Sequence, residues 1–236
     1  MAVHTVQGDS LVRRAMDAVS GHIRAKSLRV GDTLPGEGHF AEELGVSRAV
    51  MREAFGAMAA LRLIDVGNGR KPRVAAIDGT VMATSLDHAI GTAQINVVDV
   101  WDVRRTLEVR TAALAATNRT DEQAAEIVSL AEMIAENAAN PDAIKKYDIA
   151  FHQAIAAAAG NALLTAIIRS FGPLMEVAVP AAWKTRVTPE QRAAIIKQHR
   201  ELAAAIAVGD PDRAAACMNQ HFDESVAAKL ASEAAR

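Results

Sequence analysis

The chain has 236 residues, half of them hydrophobic but only 3% aromatic, and its formal net charge is −2. That length is comfortable for two domains, and the scarcity of aromatic side chains predicts helices packed through Ala, Leu, Ile and Val. The single cysteine, Cys217, excludes an intramolecular disulfide framework. A polar N-terminus and frequent charges argue against a signal peptide and a membrane span, so we expect a cytoplasmic protein without membrane contact.

Charge is divided unevenly along the chain. Residues 1–77 carry eleven basic and eight acidic residues, whereas residues 78–236 carry 15 basic and 20 acidic ones. If either part meets nucleic acid, it is the N-terminal one. We therefore expect a nucleic-acid-binding domain at 1–77 and a second domain at 78–236.

The first domain begins with the pattern of a helix-turn-helix. Apolar residues recur at helical spacing over residues 11–23, and a short helix is predicted at about 38–44. Gly45 can adopt the left-handed conformation of a turn, and Ser47 is a good N-cap for a helix over about 48–61. Such a second helix enters the major groove in helix-turn-helix proteins.

The predicted second helix has two distinct faces. Its inner face comprises Val50, Ala54, Met58 and Leu61. Arg48 and Arg52, four residues apart, share another face. These arginines are candidate DNA contacts, and the alternative is an ordinary solvated helix face.

A hairpin is predicted directly after this helix. Asn68-Gly69 lies between two short strand-like segments, which is typical of a tight hairpin turn. Three cations, Arg70, Lys71 and Arg73, would lie at its tip and suit phosphate or minor-groove contacts. The sequence thus predicts a winged helix-turn-helix.

Three segments of this domain resemble the winged helix of GntR-type bacterial regulators: LPGE at 34–37, AEELGVSR at 41–48 and MREA at 51–54. The resemblance implies that Arg48 and Arg52, with Ser47 beside them, contact double-stranded operator DNA. One departure is Gly38, where the family usually has an arginine that helps to read a guanine; His39 is also atypical. Loss of one bidentate arginine–guanine pair costs roughly 1–3 kcal/mol of discrimination, so we expect an altered operator preference.

From residue 78 onward the pattern is helical almost throughout. Capping boxes begin at Thr120 and Thr188, Asn140-Pro141 is a helix start, and Gly160 and Gly209 are stops. We predict an antiparallel all-helical bundle with helices at roughly 80–90, 97–117, 121–138, 141–159, 161–178, 189–208 and 211–231. Residues 180–186 are expected to form a long loop.

Four residues of the predicted bundle are spaced so that they can meet. Asp148 and His152 are four apart on one helix and share a face. His199 lies ten residues before Gly209 and His221 twelve after it, so an antiparallel hairpin would bring both histidines to nearly the same level. Three neutral imidazoles and a carboxylate suit a divalent ion: zinc first, then nickel or manganese. The alternative is that each histidine is buried with its own carboxylate or carbonyl partner.

The segments DIAFH at 148–152 and AAGN at 158–161 resemble the helical effector domain called FCD, which follows FadR-subfamily winged helices. In the metal-binding branch of that family, an Asp and a His four apart are followed by two further histidines. The resemblance implies that Asp148, His152, His199 and His221 bind the ion, and it argues against the branch that binds acyl-CoA without a metal.

An octahedral ion held by four protein ligands has about two open coordination positions. We expect a small carboxylate metabolite to fill them. Arg104 matches an arginine common in the first long helix of the family and is a candidate effector contact, as is Asn161. The alternatives are that Arg104 pairs with Glu108 one turn away and that Asn161 caps a helix.

These patterns predict a homodimeric transcriptional regulator, expected to be a repressor, whose affinity for its operator responds to the metabolite. Two other functions remain open. One is a metal-dependent enzyme acting on small organic acids, against which the sequence has no HExxH motif and no phosphate-binding loop. The other is a DNA-binding protein in which the metal is purely structural.

Overall fold

The computed structural model of the protein describes residues 5–67 and 69–234. The chain divides into two compact units, Met1–Ile77 and Asp78–Arg236. Each unit has its own hydrophobic core.

The N-terminal unit combines three helices with one hairpin. Its elements are α1 (Thr5–Ala25), α2 (Glu37–Leu44), α3 (Arg48–Ala60), β1 (Ile64–Gly67) and β2 (Arg70–Val74). The strands pair antiparallel, with Ile64 opposite Val74 and an irregularity between Asp65 and Gly67. This arrangement confirms the predicted winged helix-turn-helix.

The turn between α2 and α3 forms as its residues predict. Gly45 has a φ of 63°, in the left-handed region, and ends α2. The Ser47 hydroxyl accepts a hydrogen bond from the Val50 backbone nitrogen at 3.3 Å, which caps α3. The two helices are therefore joined by a short turn fixed at both ends.

The inner face of α3 differs from the predicted one. Its buried residues are Met51, Ala54, Phe55 and Met58. Leu61 is 47% exposed, because α3 ends before it and the chain turns towards β1. Phe55 packs instead against Phe40 of α2, with ring centroids 6.0 Å apart.

The three cations predicted for the tip of the wing lie at two different distances from the hairpin turn. Arg70 and Lys71 are exposed at the start of β2. Arg73 lies further from the turn, where its guanidinium donates to the Gly31 carbonyl at 2.8 Å. It is therefore not at the tip; Asn68 of the predicted turn lies outside the described residues.

The C-terminal unit is helical, with eight helices in its described part. They are α4 (Thr80–Gly91), α5 (Val97–Asn118), α6 (Asp121–Glu136), α7 (Pro141–Ala158), α8 (Ala162–Ser170), α9 (Gly172–Lys184), α10 (Pro189–Val208) and α11 (Pro211–Ala234). The predicted capping boxes at Thr120 and Thr188 are both formed. A third capping box, not among the predicted ones, joins Asn96 and Asp99 at the start of α5.

One predicted helix is two helices. The segment predicted as a single helix over 161–178 breaks between α8 and α9, which are bent by 57° relative to each other. Pro173 lacks a backbone N–H, so it disfavours continuation of α8 but fits the first turn of α9. The predicted loop at 180–186 is also wrong, because α9 continues through Pro180 as far as Lys184.

The bundle core is built largely from small aliphatic side chains. Five long helices, α5, α6, α7, α10 and α11, pack against one another, and α5 lies beside α11 and α7. Fully buried alanines such as Ala112 and Ala205 let the backbones approach closely, while Phe151 and Phe222 fill the wider gaps.

Within the described ranges, no single helix is long and apolar enough to cross a membrane. Only α8 and α9 counted together reach that length and composition, across their bend.

Gly79 allows the start of α4 to approach α8 closely. It is the N-cap of α4 and has a φ of 85°, which L side chains rarely adopt. A methyl group at this position would collide with the Ala166 carbonyl oxygen and lie 3.1 Å from the Ser170 backbone nitrogen. Gly91, at the other end of α4, has no atom within 4 Å of the corresponding position.

We therefore expect Gly79→Ala to destabilise the protein and Gly91→Ala to be nearly neutral. The left-handed backbone alone costs about 1–3 kcal/mol for a non-glycine residue, and a loss of about 2 kcal/mol would lower the melting temperature by about 4–8 °C. Thermal unfolding followed by circular dichroism measures both variants. Equal melting temperatures for the two would contradict the close approach of α4 and α8.

Candidate metal centre and DNA-binding surface

Three histidines from three different helices meet in the core of the C-terminal unit. His152 of α7, His199 of α10 and His221 of α11 are all buried, and each offers a ring nitrogen within 4.8 Å of the others. Their ring centroids are 4.8 Å apart for His199 and His221 and 5.1 Å for His152 and His221. We call these three residues the histidine cluster.

The hairpin of α10 and α11 explains why the cluster forms. Gly209 ends α10 with a φ of 78°, and Pro211 starts α11 directly afterwards. The chain therefore reverses within a few residues, which brings His199 and His221 together with their rings nearly perpendicular, at an interplanar angle of 81°. This is the juxtaposition that their spacing from Gly209 predicts.

Asp148 lies one turn before His152 on α7 and touches the cluster through His199. Its Oδ1 is 3.2 Å from His199 Nε2. Burial acts to raise the pKa of Asp148, but the hydrogen bond from His199 and the charge of His152 outweigh it, so the pKa lies well below its usual range. The carboxylate is therefore ionised at the edge of the cluster.

The proton positions on His199 are constrained by its neighbours. Its Nδ1 lies 2.8 Å from the Ile195 carbonyl, which can only accept, so Nδ1 carries a hydrogen. Nε2 faces the Asp148 carboxylate, another group that can only accept. A cation beside Nε2 would be attracted by both the imidazole nitrogen and the carboxylate.

Glu108 of α5 contacts the Nδ1 side of the His152 ring. Its Oε2 is 2.5 Å from His152 Nδ1, an ionic contact whose angles fall outside those of a regular hydrogen bond. Since a carboxylate attracts the imidazole proton to Nδ1, the contact leaves Nε2 of His152 available for a ligand. Only 1% of Glu108 is exposed.

Arg104 keeps Glu108 ionised. Its Nε donates to Glu108 Oε1 at 2.6 Å, and its Nη1 contacts the Met175 sulfur. Burial would raise the pKa of Glu108, but Arg104 and His152 lower it to about 2. The same carboxylate raises the pKa of His152 against the lowering effect of burial.

His221 has a different electrostatic environment. Burial lowers its pKa well below the usual value, and the neighbouring His199 and His152 lower it further. The ring is therefore neutral, which is the form that binds metal ions.

A cavity of about 40 Å³ adjoins the histidine cluster. Besides the cluster and Asp148, its walls include Trp101, Arg104, Trp183, Arg186 and Phe222. Of these, only Arg104 is a candidate site residue from the sequence. Glu108, Trp101 and Arg186 were missed as site residues, and the only signal for any of them was the spacing of Glu108 from Arg104.

The two predicted effector contacts have different outcomes. Arg104 lines the cavity, but it also pairs with Glu108, as the alternative interpretation expected. Asn161 is exposed and caps α8 by accepting from the backbone nitrogens of Leu163 and Leu164 at 3.1 and 3.2 Å. It therefore forms the helix cap that the alternative interpretation expected and is not among the residues that line the cavity; its role as an effector contact stays a prediction.

In the N-terminal unit, α3 presents a cationic face to solvent. Arg48 and Arg52 are both exposed, and neither guanidinium is paired with a carboxylate in the described part of the chain. Gly38 leaves space beside Arg48, whose Nη2 lies 3.8 Å from where a side chain at position 38 would begin.

Each of the two units matches a known protein family. Residues 11–74 match the family model "Bacterial regulatory proteins, gntR family", and residues 99–224 match the model "FCD domain". The Glc operon transcriptional activator of Escherichia coli is 30% identical over 207 residues, which cover 85% of this chain and 78% of that protein. The regulator LutR of Bacillus subtilis is 28% identical over 204 residues, with coverage of 85% and 92%.

A solved structure has the same fold. The GntR protein of Streptococcus agalactiae superimposes with a TM-score of 0.66 at 24% identity, covering 90% of this chain and 97% of that one. Since the related proteins are regulators, the prediction of a regulator in preference to an enzyme is confirmed. The chain belongs to the GntR family of bacterial regulatory proteins: it is a transcriptional regulator with a GntR DNA-binding domain followed by an FCD domain.

Proposed function

We propose that this regulator holds a divalent metal ion in its FCD domain and responds to a small carboxylate metabolite that binds beside the ion. The observation that carries the proposal is the convergence of three buried imidazoles from α7, α10 and α11. The metabolite would change the affinity of the winged helices for operator DNA, which lies in the cytoplasm of a bacterium.

The donors fit an ion of the zinc, nickel or manganese type. Two of the imidazoles have their Nδ1 atoms engaged away from the cluster, by Glu108 and by the Ile195 carbonyl, which leaves their Nε2 atoms as donors. His221 is neutral, and Asp148 adds a carboxylate beside His199. Such an ion supplies open coordination positions that attract an anionic oxygen ligand.

The DNA-binding surface we propose consists of Ser47, Arg48 and Arg52 of the α3 region and Arg70, Lys71 and Arg73 of the wing. Exposure of both α3 arginines supports it. Two winged helices are needed to contact the two half-sites of a palindromic operator, so we propose a homodimer. Repression stays a prediction, since one relative is named an activator.

Regulation requires that the metabolite bind one arrangement of the dimer better than another. A change from mostly DNA-competent to mostly incompetent protein needs about 5 kcal/mol of differential affinity. If the metal were purely structural, no small acid would change the affinity of the protein for its operator. Measuring operator affinity with and without small acids therefore separates a sensory from a structural metal.

We expect His221→Ala to abolish metal binding by removing one of the proposed donors. Zinc content after dialysis should fall from about one ion per chain towards none, and excess zinc should raise the melting temperature of the wild type only. Elemental analysis and thermal unfolding measure these effects. His88→Ala, at an exposed histidine of α4, is the control and should retain the ion. Full zinc content in the His221 variant would refute the site.

We expect Glu108→Gln to weaken metal binding, because the neutral amide holds the Nδ1 proton of His152 less strongly. Loss of such a supporting carboxylate typically lowers metal affinity by about 10–100-fold. Competition with a chromophoric chelator measures the affinity, and Glu126→Gln, at an exposed carboxylate of α6, is the control.

The Glu108 variant also leaves Arg104 buried without its partner, which is destabilising by itself. The double variant Arg104→Met with Glu108→Gln removes both charges and tests the same point in a neutral background. Wild-type metal affinity in a folded single or double variant would show that Glu108 does not position His152.

We expect Arg52→Ala to weaken operator binding by between about 5- and 150-fold, the cost of one lost base contact, without changing zinc content. A duplex selected from random sequences by the wild-type protein serves as the operator. Arg24→Ala removes the same charge from an exposed position of α1 and should have a smaller effect. Equal affinities for the two variants would contradict the recognition-helix assignment.

A further inference from the structure

The histidine cluster is almost closed to solvent. Between 2% and 7% of each histidine is exposed, and Trp183 and Phe222 of the cavity wall are 5% and 1% exposed. A metal site needs an entry path, so an ion can reach or leave the cluster only when part of this wall moves aside. The part that moves is the one that the rest of the fold holds least firmly.

The part of the wall that is held least firmly is α9. The helices α5, α6, α7, α10 and α11 supply most of the lining and are 16 to 24 residues long, whereas α9 has 13 residues. The buried residues of α9 are Met175 and Trp183, and Val177 on its outer side is 71% exposed. A helix with few buried apolar contacts has a small free energy of local opening.

Pro180 divides α9 into two halves. Proline has no backbone N–H, so the helical hydrogen bond to the Glu176 carbonyl cannot form at this point. The first half is anchored by Met175, whose sulfur contacts Arg104 Nη1, and by the Glu176 carboxylate, which pairs with Lys145 of α7 at 3.1 Å. The missing bond therefore lies between an anchored half and a half that must be held in another way.

Arg192 of α10 holds the second half. Its guanidinium lies over the Trp183 ring, with Cζ 6.0 Å from the ring centroid. Its Nε donates to the Arg186 carbonyl at 3.0 Å, in the non-helical connection between α9 and α10. Trp183 and Arg186 both line the cavity. One side chain therefore positions both the ring that closes the cavity and the backbone that follows it.

We propose that residues 181–188 form a lid over the histidine cluster, with a hinge at Pro180 and a latch at Arg192, and that lid opening sets the rate at which the metal ion enters and leaves. The inference rests on the proposed function, because it concerns access to the same site. Neither Pro180 nor Arg192 is among the proposed metal donors, so lid opening changes the rates of entry and release by the same factor and leaves the affinity at equilibrium nearly unchanged. The regulator then keeps its ion through changes in free metal concentration that are shorter than the time of opening.

Release of zinc from the loaded full chain into excess chromophoric chelator tests the hinge, at chelator concentrations where the rate no longer depends on the chelator. Pro180→Ala supplies the missing N–H and should slow release by about two- to ten-fold, the value of one hydrogen bond. Pro141→Ala is the control, because proline at the first residue of α7 removes no helical hydrogen bond. This control should release zinc like the wild type.

Arg192→Met tests the latch in the opposite direction. It should speed release by about ten-fold, because a charged hydrogen-bond donor is lost, while Arg169→Met, at an exposed arginine of α8, should release zinc like the wild type. In both lid variants the zinc affinity at equilibrium should change by less than the release rate. A wild-type release rate in either folded lid variant overturns the proposal, and so does a change in affinity as large as the change in rate. If Arg192→Met fails to fold, Pro180→Ala decides alone.

Hydrogen exchange of the backbone amides of residues 181–186 in zinc-free protein measures lid opening without the ion. Exchange should be slower in Pro180→Ala and faster in Arg192→Met than in the wild type. If the wild type holds zinc but neither zinc release nor hydrogen exchange responds to these changes, the metal centre stands and the lid fails. If the wild type holds no zinc, the metal centre fails, and hydrogen exchange alone decides whether the lid exists.

Discussion

The site depends on one carboxylate, Glu108, buried between a guanidinium and an imidazole. A carboxylate with 1% exposure would be very costly without partners, and here Arg104 and His152 both contact it. The cost of burying three ionisable groups is offset only because they are buried together. In return, α5 and α7 are fixed relative to each other, and the His152 ring is oriented towards its two neighbours on the α10–α11 hairpin.

Charge balance divides the site into two parts. On one side, Arg104 and Glu108 neutralise each other, and Asp148 faces His199. On the other side, Arg186 keeps a positive charge that no described carboxylate contacts directly. A divalent ion would add to that positive charge, so the site as a whole favours an anionic ligand. The proposed response to an acid therefore depends on the distribution of charge around the cluster, in addition to the metal-binding groups themselves.

Much of this architecture could be predicted from the sequence because it is encoded locally. The turn at Gly45, the cap at Ser47 and the hairpin at Gly209 each depend on a few neighbouring residues. The proximity of His199 and His221 along the α10–α11 hairpin follows from counting the residues that separate each of them from Gly209. The break at Pro173 was missed because the apolar pattern continues across it. Arg186 and Trp101 could not be found, since their proximity depends on how α5, α9 and α10 pack, and no spacing along the chain contains that information.

The tight reversal at Gly209 also limits how this domain can change in evolution. Each residue of an α-helix rotates the side-chain direction by about 100°, so inserting or deleting one residue between Gly209 and His221 would turn the imidazole away from its partners. Loops of regulators usually tolerate changes in length, but this segment is helical and has a fixed phase. The number of residues between Gly209 and His221 is therefore as necessary for the cluster as the histidines themselves.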